Sequence, residues 1–150
     1  MKEFFFISGL PRSGSTLLSA ILRQNPEFYA DISSPVQGLV ASTINVITNS
    51  ESNHLIDEDR RKQILKDVFE AYYKAVMPST VFDTSRGWTA KTSLLKTLYP
   101  QTKIVCCVRD LPWILDSFER ISAKNGLWNA SLTDDEASQT VTTRCDALMD

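Results

Sequence analysis

A short apolar run that ends in a glycine-rich turn, and continues into a helical repeat, constrains this chain more than any other feature. Residues 4–8 read FFFIS, and the turn over residues 9–16 reads GLPRSGST. Apolar residues then recur at helical spacing from Leu17 to Leu22, which predicts a buried strand followed by a helix that begins near Gly14. A strand joined to a helix by such a turn is the context that a phosphate-cradling loop requires.

The residues of this turn, which we call the glycine turn (residues 9–16), suit an anion. Glycine allows the backbone to curl so that successive N–H groups point at one ligand. The start of the following helix adds its own unpaired N–H groups and the positive end of its dipole. The expected anion-binding residues are Ser13, Gly14, Ser15 and Thr16.

The spacing of the glycine turn matches the phosphate loop G-x-x-x-x-G-K-[ST] at every position but one. Ser15 stands where nucleotide-hydrolysing enzymes have a lysine, and the turn's one cation is Arg12. That lysine acts on the β- and γ-phosphates of a magnesium-bound triphosphate, so its absence disfavours such chemistry. The alternative interpretation is a plain glycine, proline and serine turn with an exposed arginine.

Strands and helices alternate along the rest of the chain. Helices are predicted from Ser34-Pro35, over residues 57–77, over residues 94–99, from Pro112 to Asn125-Gly126, and from Thr133, which forms a capping box with Glu136. Further strands are predicted over residues 80–83 and 103–108. This alternation predicts an α/β fold, a P-loop-like three-layer architecture with a central parallel sheet flanked by helices. We expect one domain over residues 1–150.

A second polar pair follows the strand predicted over residues 103–108. Arg109 lies directly after that strand, and Ser117 lies eight residues later in the next helix. An arginine fork at a strand exit can hold a phosphate through two hydrogen bonds, and a serine beside it can add a neutral one. In parallel sheets, ligands bind at the carboxyl ends of the strands. An ion pair or helix cap involving Asp110 is the alternative.

Taken together, the two segments resemble the sulfotransferases that use 3′-phosphoadenosine 5′-phosphosulfate (PAPS). Residues 4–26, FFFISGLPRSGSTLLSAILRQNP, are similar to the family's 5′-phosphosulfate loop, in the P-R-S-G-[ST]-T form of tyrosylprotein and many bacterial enzymes. Residues 103–120, KIVCCVRDLPWILDSFER, resemble its 3′-phosphate segment. The resemblance implies that PAPS is the co-substrate, that no metal is needed, and that Arg12 contacts the sulfuryl group. It also implies that Arg109 and Ser117 bind the 3′-phosphate.

The resemblance leaves the catalytic base and the acceptor open. Family members use a histidine or a glutamate as the base, whereas His54 here lies in a polar loop. Asp31 is the best positional match to the glutamate, and Asp83, at a strand end, is the alternative. Arg86 or Trp88 can line the cleft, with a core position favoured for Trp88. Family domains run longer, with a later basic segment, so the resemblance implies that this chain is truncated at its C-terminus.

Composition narrows the class of protein further. The net charge is −2 with no basic block, so we expect no nucleic-acid partner. Three cysteines without metal-ligand spacing, and the lack of a long apolar stretch, favour a cytoplasmic protein that binds no membrane. The expected partner is a small-molecule, carbohydrate or peptide acceptor. The alternative functions are a P-loop kinase and a nucleotide-binding module without sulfuryl transfer.

Overall fold

A computed structural model of the chain describes residues 2–49, 51, 53–124, 134–135 and 140–141. The chain divides into two compact units. One, which we call the sheet unit, comprises Met1–Leu10 and Gly14–Cys107. The other, which we call the arginine unit, comprises Pro11–Ser13 and Val108–Asp150.

Four parallel strands form the centre of the sheet unit. They are β1 (Glu3–Gly9), β2 (Phe28–Ala30), β3 (Thr80–Thr84) and β4 (Ile104–Cys107), and they lie in the order β2-β3-β1-β4. The predicted parallel α/β architecture is therefore confirmed. Strand β2 was not predicted, because three residues are too few to show a repeating pattern. It forms through pairing with β3, where Phe28 lies opposite Thr80.

The register of the sheet brings the carboxyl ends of three strands to one edge. Gly9, the last residue of β1, lies opposite Cys107, the last residue of β4. On the other side of β1, Ile7 lies opposite Thr84, the last residue of β3. The glycine turn, the residues after β3 and the residues after β4 therefore all leave the sheet at this edge.

In the part of the chain that the structure describes, five α-helices connect or follow the strands. They are α1 (Ser15–Leu22), α2 (Val36–Asn49), α3 (Glu58–Tyr72) and α4 (Thr92–Leu98) in the sheet unit, and α5 (Leu111–Lys124) in the arginine unit. Two short 3₁₀ helices cover Asn53–Leu55 and Arg86–Lys91. No helix among the described residues is long and apolar enough to cross a bilayer.

Local chemistry explains where two of these helices begin. The Asp57 side chain accepts a 2.8 Å hydrogen bond from the backbone N–H of Arg60 and so caps α3. At the start of α2, Ser34 Oγ accepts from the backbone N–H of Val36 at 3.2 Å, as its predicted capping position requires. Helix α3 was predicted to continue to Met77, but it ends at Tyr72.

Aromatic side chains fill the core on one face of the sheet. Phe6 is buried against Trp88, with ring centroids 5.1 Å apart, and Trp88 stacks on Phe69 at 5.8 Å. Trp88 is fully buried, so its predicted core position is confirmed. On the opposite face, Phe5 stacks on Phe82 at 5.4 Å. Successive side chains of β1 point to opposite faces of the sheet, so β1 contributes aromatic packing to both faces.

The helix predicted from Thr133 is wrong where the structure describes that region. Asp134–Asp135 (β5) and Thr140–Val141 (β6) pair as short antiparallel strands. The two strands form by pairing with each other, Asp134 opposite Val141, which a local capping pattern does not predict. Thr133 and Glu136 themselves lie outside the described residues, as does the predicted end of α5 at Asn125-Gly126.

Candidate functional site

The backbone at both ends of the glycine turn has conformations that favour glycine. Gly9, at the end of β1, has φ 141°, and Gly14, directly before α1, has φ 110°. A Cβ atom added at Gly14 would meet no other atom within 4 Å, so the backbone angle and not space requires this glycine. Gly14 caps α1 through its carbonyl, which accepts from Leu18 N at 3.0 Å.

The first residues of α1 are those that the sequence predicted for the anion. Ser15 and Thr16 begin the helix, and no side chain caps it. The N–H groups of a helix's first turn have no partner within the helix, so those of Ser15 and Thr16 are free of helical hydrogen bonds. This arrangement supports the predicted anion site at this end of α1.

The arginine unit brings three predicted site residues together. Arg12 Nε donates a 2.9 Å hydrogen bond to Ser117 Oγ. Arg109 Nη1 donates a 3.1 Å hydrogen bond to the backbone carbonyl of Arg12. Arg12 has φ 66°, a left-handed conformation that is uncommon for a residue with a side chain. The Arg109 contact holds the carbonyl of this unusual residue.

The start of α5 explains the positions of Arg109 and Ser117. The Asp110 carbonyl accepts from the N–H groups of Trp113 at 3.1 Å and Ile114 at 3.2 Å, so α5 begins immediately after Asp110. Arg109 therefore lies immediately before the residue that caps the helix, and Ser117 lies two turns into the helix. Asp110 thus takes the predicted capping role through its backbone.

Arg12 and Arg109 donate their observed hydrogen bonds to uncharged groups, a hydroxyl and a backbone carbonyl. Within the described ranges, the salt bridges join Lys62 to Asp59 and Arg120 to Asp116. The alternative ion pair between Arg109 and Asp110 is not observed. Both guanidinium groups are exposed, one bonded to the Ser117 hydroxyl and the other to the Arg12 carbonyl, and positive charge at the surface attracts anions.

Ser13, between Arg12 and Gly14, has a hydroxyl group without a partner. Its Oγ atom is buried and makes no hydrogen bond within the described part of the chain. A buried hydroxyl without a partner destabilises a protein by about 1–3 kcal/mol. A phosphate or sulfate oxygen would satisfy it, so the residues of the turn fit the donor that the resemblance implies.

Asp31 directly follows β2 in the sheet unit. Its Oδ1 atom accepts from the backbone N–H of Ile32 at 2.9 Å, and its Oδ2 atom accepts from the Tyr29 hydroxyl at 3.4 Å. The side chain is half-buried. Burial, followed by the Asp31 carboxylate, raises the pKa of Tyr29, so this hydroxyl stays protonated and remains a donor.

Asp83, the other predicted base, is a buried structural carboxylate. It is fully buried and accepts three hydrogen bonds of 2.6 Å, from Ser34 Oγ, Tyr73 Oη and Trp88 Nε1. Burial raises the pKa of Asp83, although the three hydrogen bonds oppose that shift. An acceptor substrate has no access to this carboxylate. Sequence reasoning missed the role because the three donors come from separate segments.

A cavity of about 470 Å³ lies at the other end of β1. Its wall includes Glu3, the first residue of β1, and Tyr99, which follows α4. The glycine turn begins at Gly9, where the same strand ends. This cavity is therefore at the opposite edge of the sheet from the start of the glycine turn.

Comparison with known proteins agrees with the α/β fold. No curated protein matches the chain. A family model described as "Sulfotransferase family" matches residues 5–150. The match begins inside β1 and includes the glycine turn, Arg109 and Ser117. Because it extends over nearly the whole chain, this protein belongs to the sulfotransferase family.

Proposed function

We propose that this protein transfers the sulfuryl group of PAPS to a hydroxyl or amine of an acceptor. The observation that carries the proposal is the contact between Arg12, Arg109 and Ser117 within one compact unit. Two exposed guanidinium groups whose observed partners are uncharged suit a ligand with two separate anionic groups. Family membership supports sulfuryl transfer as the reaction.

The glycine turn would hold the 5′-phosphosulfate of the donor. The backbone N–H groups at the start of α1, with the hydroxyls of Ser13, Ser15 and Thr16, supply the hydrogen-bond donors. The unpartnered Oγ of Ser13 supports this assignment. Arg109 and Ser117 would hold the 3′-phosphate, since one offers a guanidinium fork and the other a neutral hydroxyl.

Two residues are proposed to assist the transfer itself. When bound, PAPS supplies an activated sulfuryl group on a phosphate leaving group. Arg12 would stabilise the negative charge that develops on the bridging oxygen. Asp31 would accept the proton of the acceptor, because its Oδ2 atom makes only a long 3.4 Å contact with Tyr29.

The acceptor and the location of the protein belong to the same proposal. A small molecule, a carbohydrate or a peptide can each provide the hydroxyl or amine. The cysteines Cys106 and Cys107 are free thiols, which supports a reducing, cytoplasmic location.

Calorimetric titration with adenosine 3′,5′-bisphosphate and with ATP–Mg²⁺ tests the choice of nucleotide. We expect the bisphosphate to bind more tightly, because Ser15 replaces the phosphate-loop lysine and Arg109 offers a second anion site. Equal or tighter binding of ATP–Mg²⁺ would favour the kinase alternative.

A pair of arginine variants sharpens this test. Arg109→Ala should weaken bisphosphate binding by about 10-fold or more, as expected for a hydrogen bond to a charged group. Arg60→Ala removes the same charge from exposed α3 and should leave the affinity nearly unchanged. Equal effects of the two variants would mean that only overall charge matters, which would contradict a site at Arg109. Bisphosphate binding without sulfuryl transfer to any acceptor would favour the nucleotide-binding alternative.

A further inference from the structure

Strand β1, which precedes the glycine turn, is hydrogen-bonded to the segment that follows β3. Ser8, the residue before Gly9, is buried and donates from Oγ to the Arg86 carbonyl at 2.8 Å. The same oxygen lies 2.8 Å from Thr89 Oγ1 and accepts from Thr89 N at 3.3 Å. Arg86 and Thr89 both belong to the 3₁₀ helix Arg86–Lys91, which we call the 86–91 segment. The start of the turn is thus attached to that segment.

Helix α1, which follows the glycine turn, is hydrogen-bonded to the end of β3. Ser19 of α1 and Thr84 of β3 are both buried, and their hydroxyl oxygens are 3.2 Å apart. Ser85, the next residue, donates from its backbone N–H to the Ile7 carbonyl of β1 at 3.0 Å. Ser8 before the turn and Ser19 after it therefore both contact the short stretch from Thr84 to Thr89.

Asp83, which is buried in the core, is hydrogen-bonded to this stretch. Its Oδ1 atom accepts from Trp88 Nε1 at 2.6 Å, and Trp88 lies within the 86–91 segment. Its Oδ2 atom accepts from Ser34 Oγ and Tyr73 Oη, both at 2.6 Å. Because both oxygens are engaged, the plane of the carboxylate is fixed, and with it the position of the Trp88 ring.

We propose that Asp83 is a positioning residue for the glycine turn, and that it acts through Trp88 and the 86–91 segment on Ser8. The inference rests on the proposed function at one point, the assumption that the glycine turn binds the donor. The hydrogen-bonded path Asp83–Trp88–86–91 segment–Ser8 exists whatever the ligand is. Asp83 touches no substrate in this role, which accounts for an ionisable group buried beside Tyr73 and Trp88.

Substitutions along the path from the Asp83 carboxylate to Ser8 test the proposal. Trp88→Phe removes the indole N–H on the path to the turn, and Ser8→Ala removes the last contact of that path. Each should weaken binding of adenosine 3′,5′-bisphosphate by about 3- to 10-fold, a change as large as the net contribution of a typical hydrogen bond. Tyr73→Phe is the matched control, since it removes a donor from the same carboxylate on the side of α3. It should change the dissociation constant less than about 2-fold, within the range of an uninvolved position.

Titrations are run below the unfolding transition of every variant, so that loss of folded protein does not contribute. If Asp83→Asn folds, it should also weaken bisphosphate binding. If it does not fold, Trp88→Phe and Ser8→Ala still test the proposal. The double variant Ser8→Ala/Trp88→Phe should bind about as weakly as the weaker single variant, because both substitutions interrupt one path. Additive losses, or an equal loss in Tyr73→Phe, would overturn the proposal.

Hydrogen exchange of the peptide that covers residues 4–16 provides a readout without ligand. Exchange should accelerate in Trp88→Phe and Ser8→Ala but not in Tyr73→Phe. If the wild-type protein does not bind the bisphosphate while this exchange pattern holds, the donor assignment fails and the positioning role of Asp83 stands. Unchanged exchange in Trp88→Phe would refute the positioning role by itself.

Discussion

The Nε atom of Arg12 donates a 2.9 Å hydrogen bond to Oγ of Ser117, which lies 105 residues further along the chain. The two residues come from the two segments that the resemblance to PAPS-using sulfotransferases assigns to opposite ends of the proposed donor. A ligand that binds through Arg12 Nε must displace the Ser117 hydroxyl from it, since one N–H group makes one strong hydrogen bond. The contact therefore links the proposed sulfuryl end of the site to its 3′-phosphate end.

Arg12 is expected to act on the chemical step more than on donor binding. A cation aimed at the bridging oxygen stabilises the transition state more than the ground state. Arg12→Ala should therefore lower kcat by roughly 10²–10³-fold, as for the loss of one preorganised donor. The donor affinity should fall less, because the N–H groups at the start of α1 remain. Steady-state kinetics combined with donor titration would measure both effects.

Arg109→Ala is the comparison for Arg12→Ala, because the Arg109 side chain faces the non-reacting 3′-phosphate in the proposed complex. It should mainly weaken donor binding and leave kcat at saturating donor close to normal. If Arg12→Ala changed only the donor dissociation constant and left kcat intact, Arg12 would be a positioning residue.

Asp31 is expected to be the general base. Asp31→Asn keeps the size of the side chain and an oxygen for the backbone N–H of Ile32, but it removes the ability to accept a proton. The substitution should lower kcat by roughly 10²–10⁴-fold with little change in donor affinity. Glu27→Gln, at a nearby exposed position, is the control for the loss of a negative charge. Normal turnover in Asp31→Asn would assign the base to another residue.

Gly14 is expected to be required for its backbone conformation. Gly14→Ala places a side chain at φ 110° and should destabilise the fold by about 1–2 kcal/mol. Gly38→Ala is the matched control, because it lies within α2 and its added Cβ also meets nothing within 4 Å. That variant should be more stable than the wild type by about 0.5–1 kcal/mol. Urea unfolding measures both, and equal effects would contradict the explanation.

The ionisation of Asp83 should make stability depend on pH in a defined direction. Burial raises the pKa of Asp83 in the folded protein above its unfolded value of about 3.9. The folded state therefore binds the proton more tightly, and this contribution to stability is complete below the unfolded pKa. It is lost as the pH rises through the raised pKa of the folded state.

Comparison with Asp83→Asn isolates this contribution, because the other carboxylates titrate in both proteins. Relative to the variant, the wild type should lose unfolding free energy as the pH is raised from about 4 toward neutrality. Urea unfolding at several pH values gives the difference. A difference that grows in the wild type's favour over that range would show that hydrogen bonding outweighs burial at Asp83.

Local sequence determined the elements around the glycine turn. An apolar run, two glycines and a helical repeat each act over a few neighbouring residues, so β1, the turn and α1 could be predicted without tertiary contacts. Arg109 was likewise predictable, because the end of the apolar run over residues 103–108 places it after a strand. The parallel sheet followed from the alternation of strands and helices.

Tertiary structure decided what depends on residues distant in sequence. Strand β2 forms because Phe28–Ala30 pairs with β3, and no local sequence pattern predicts this pairing. The sequence left Asp83 open as a base, and burial beside Tyr73 and Trp88 makes it a structural carboxylate. The contact of Arg12 with Ser117 likewise forms only when the chain folds. A side chain's type and neighbours set its local conformation, but its burial and partners depend on which segments the fold brings together.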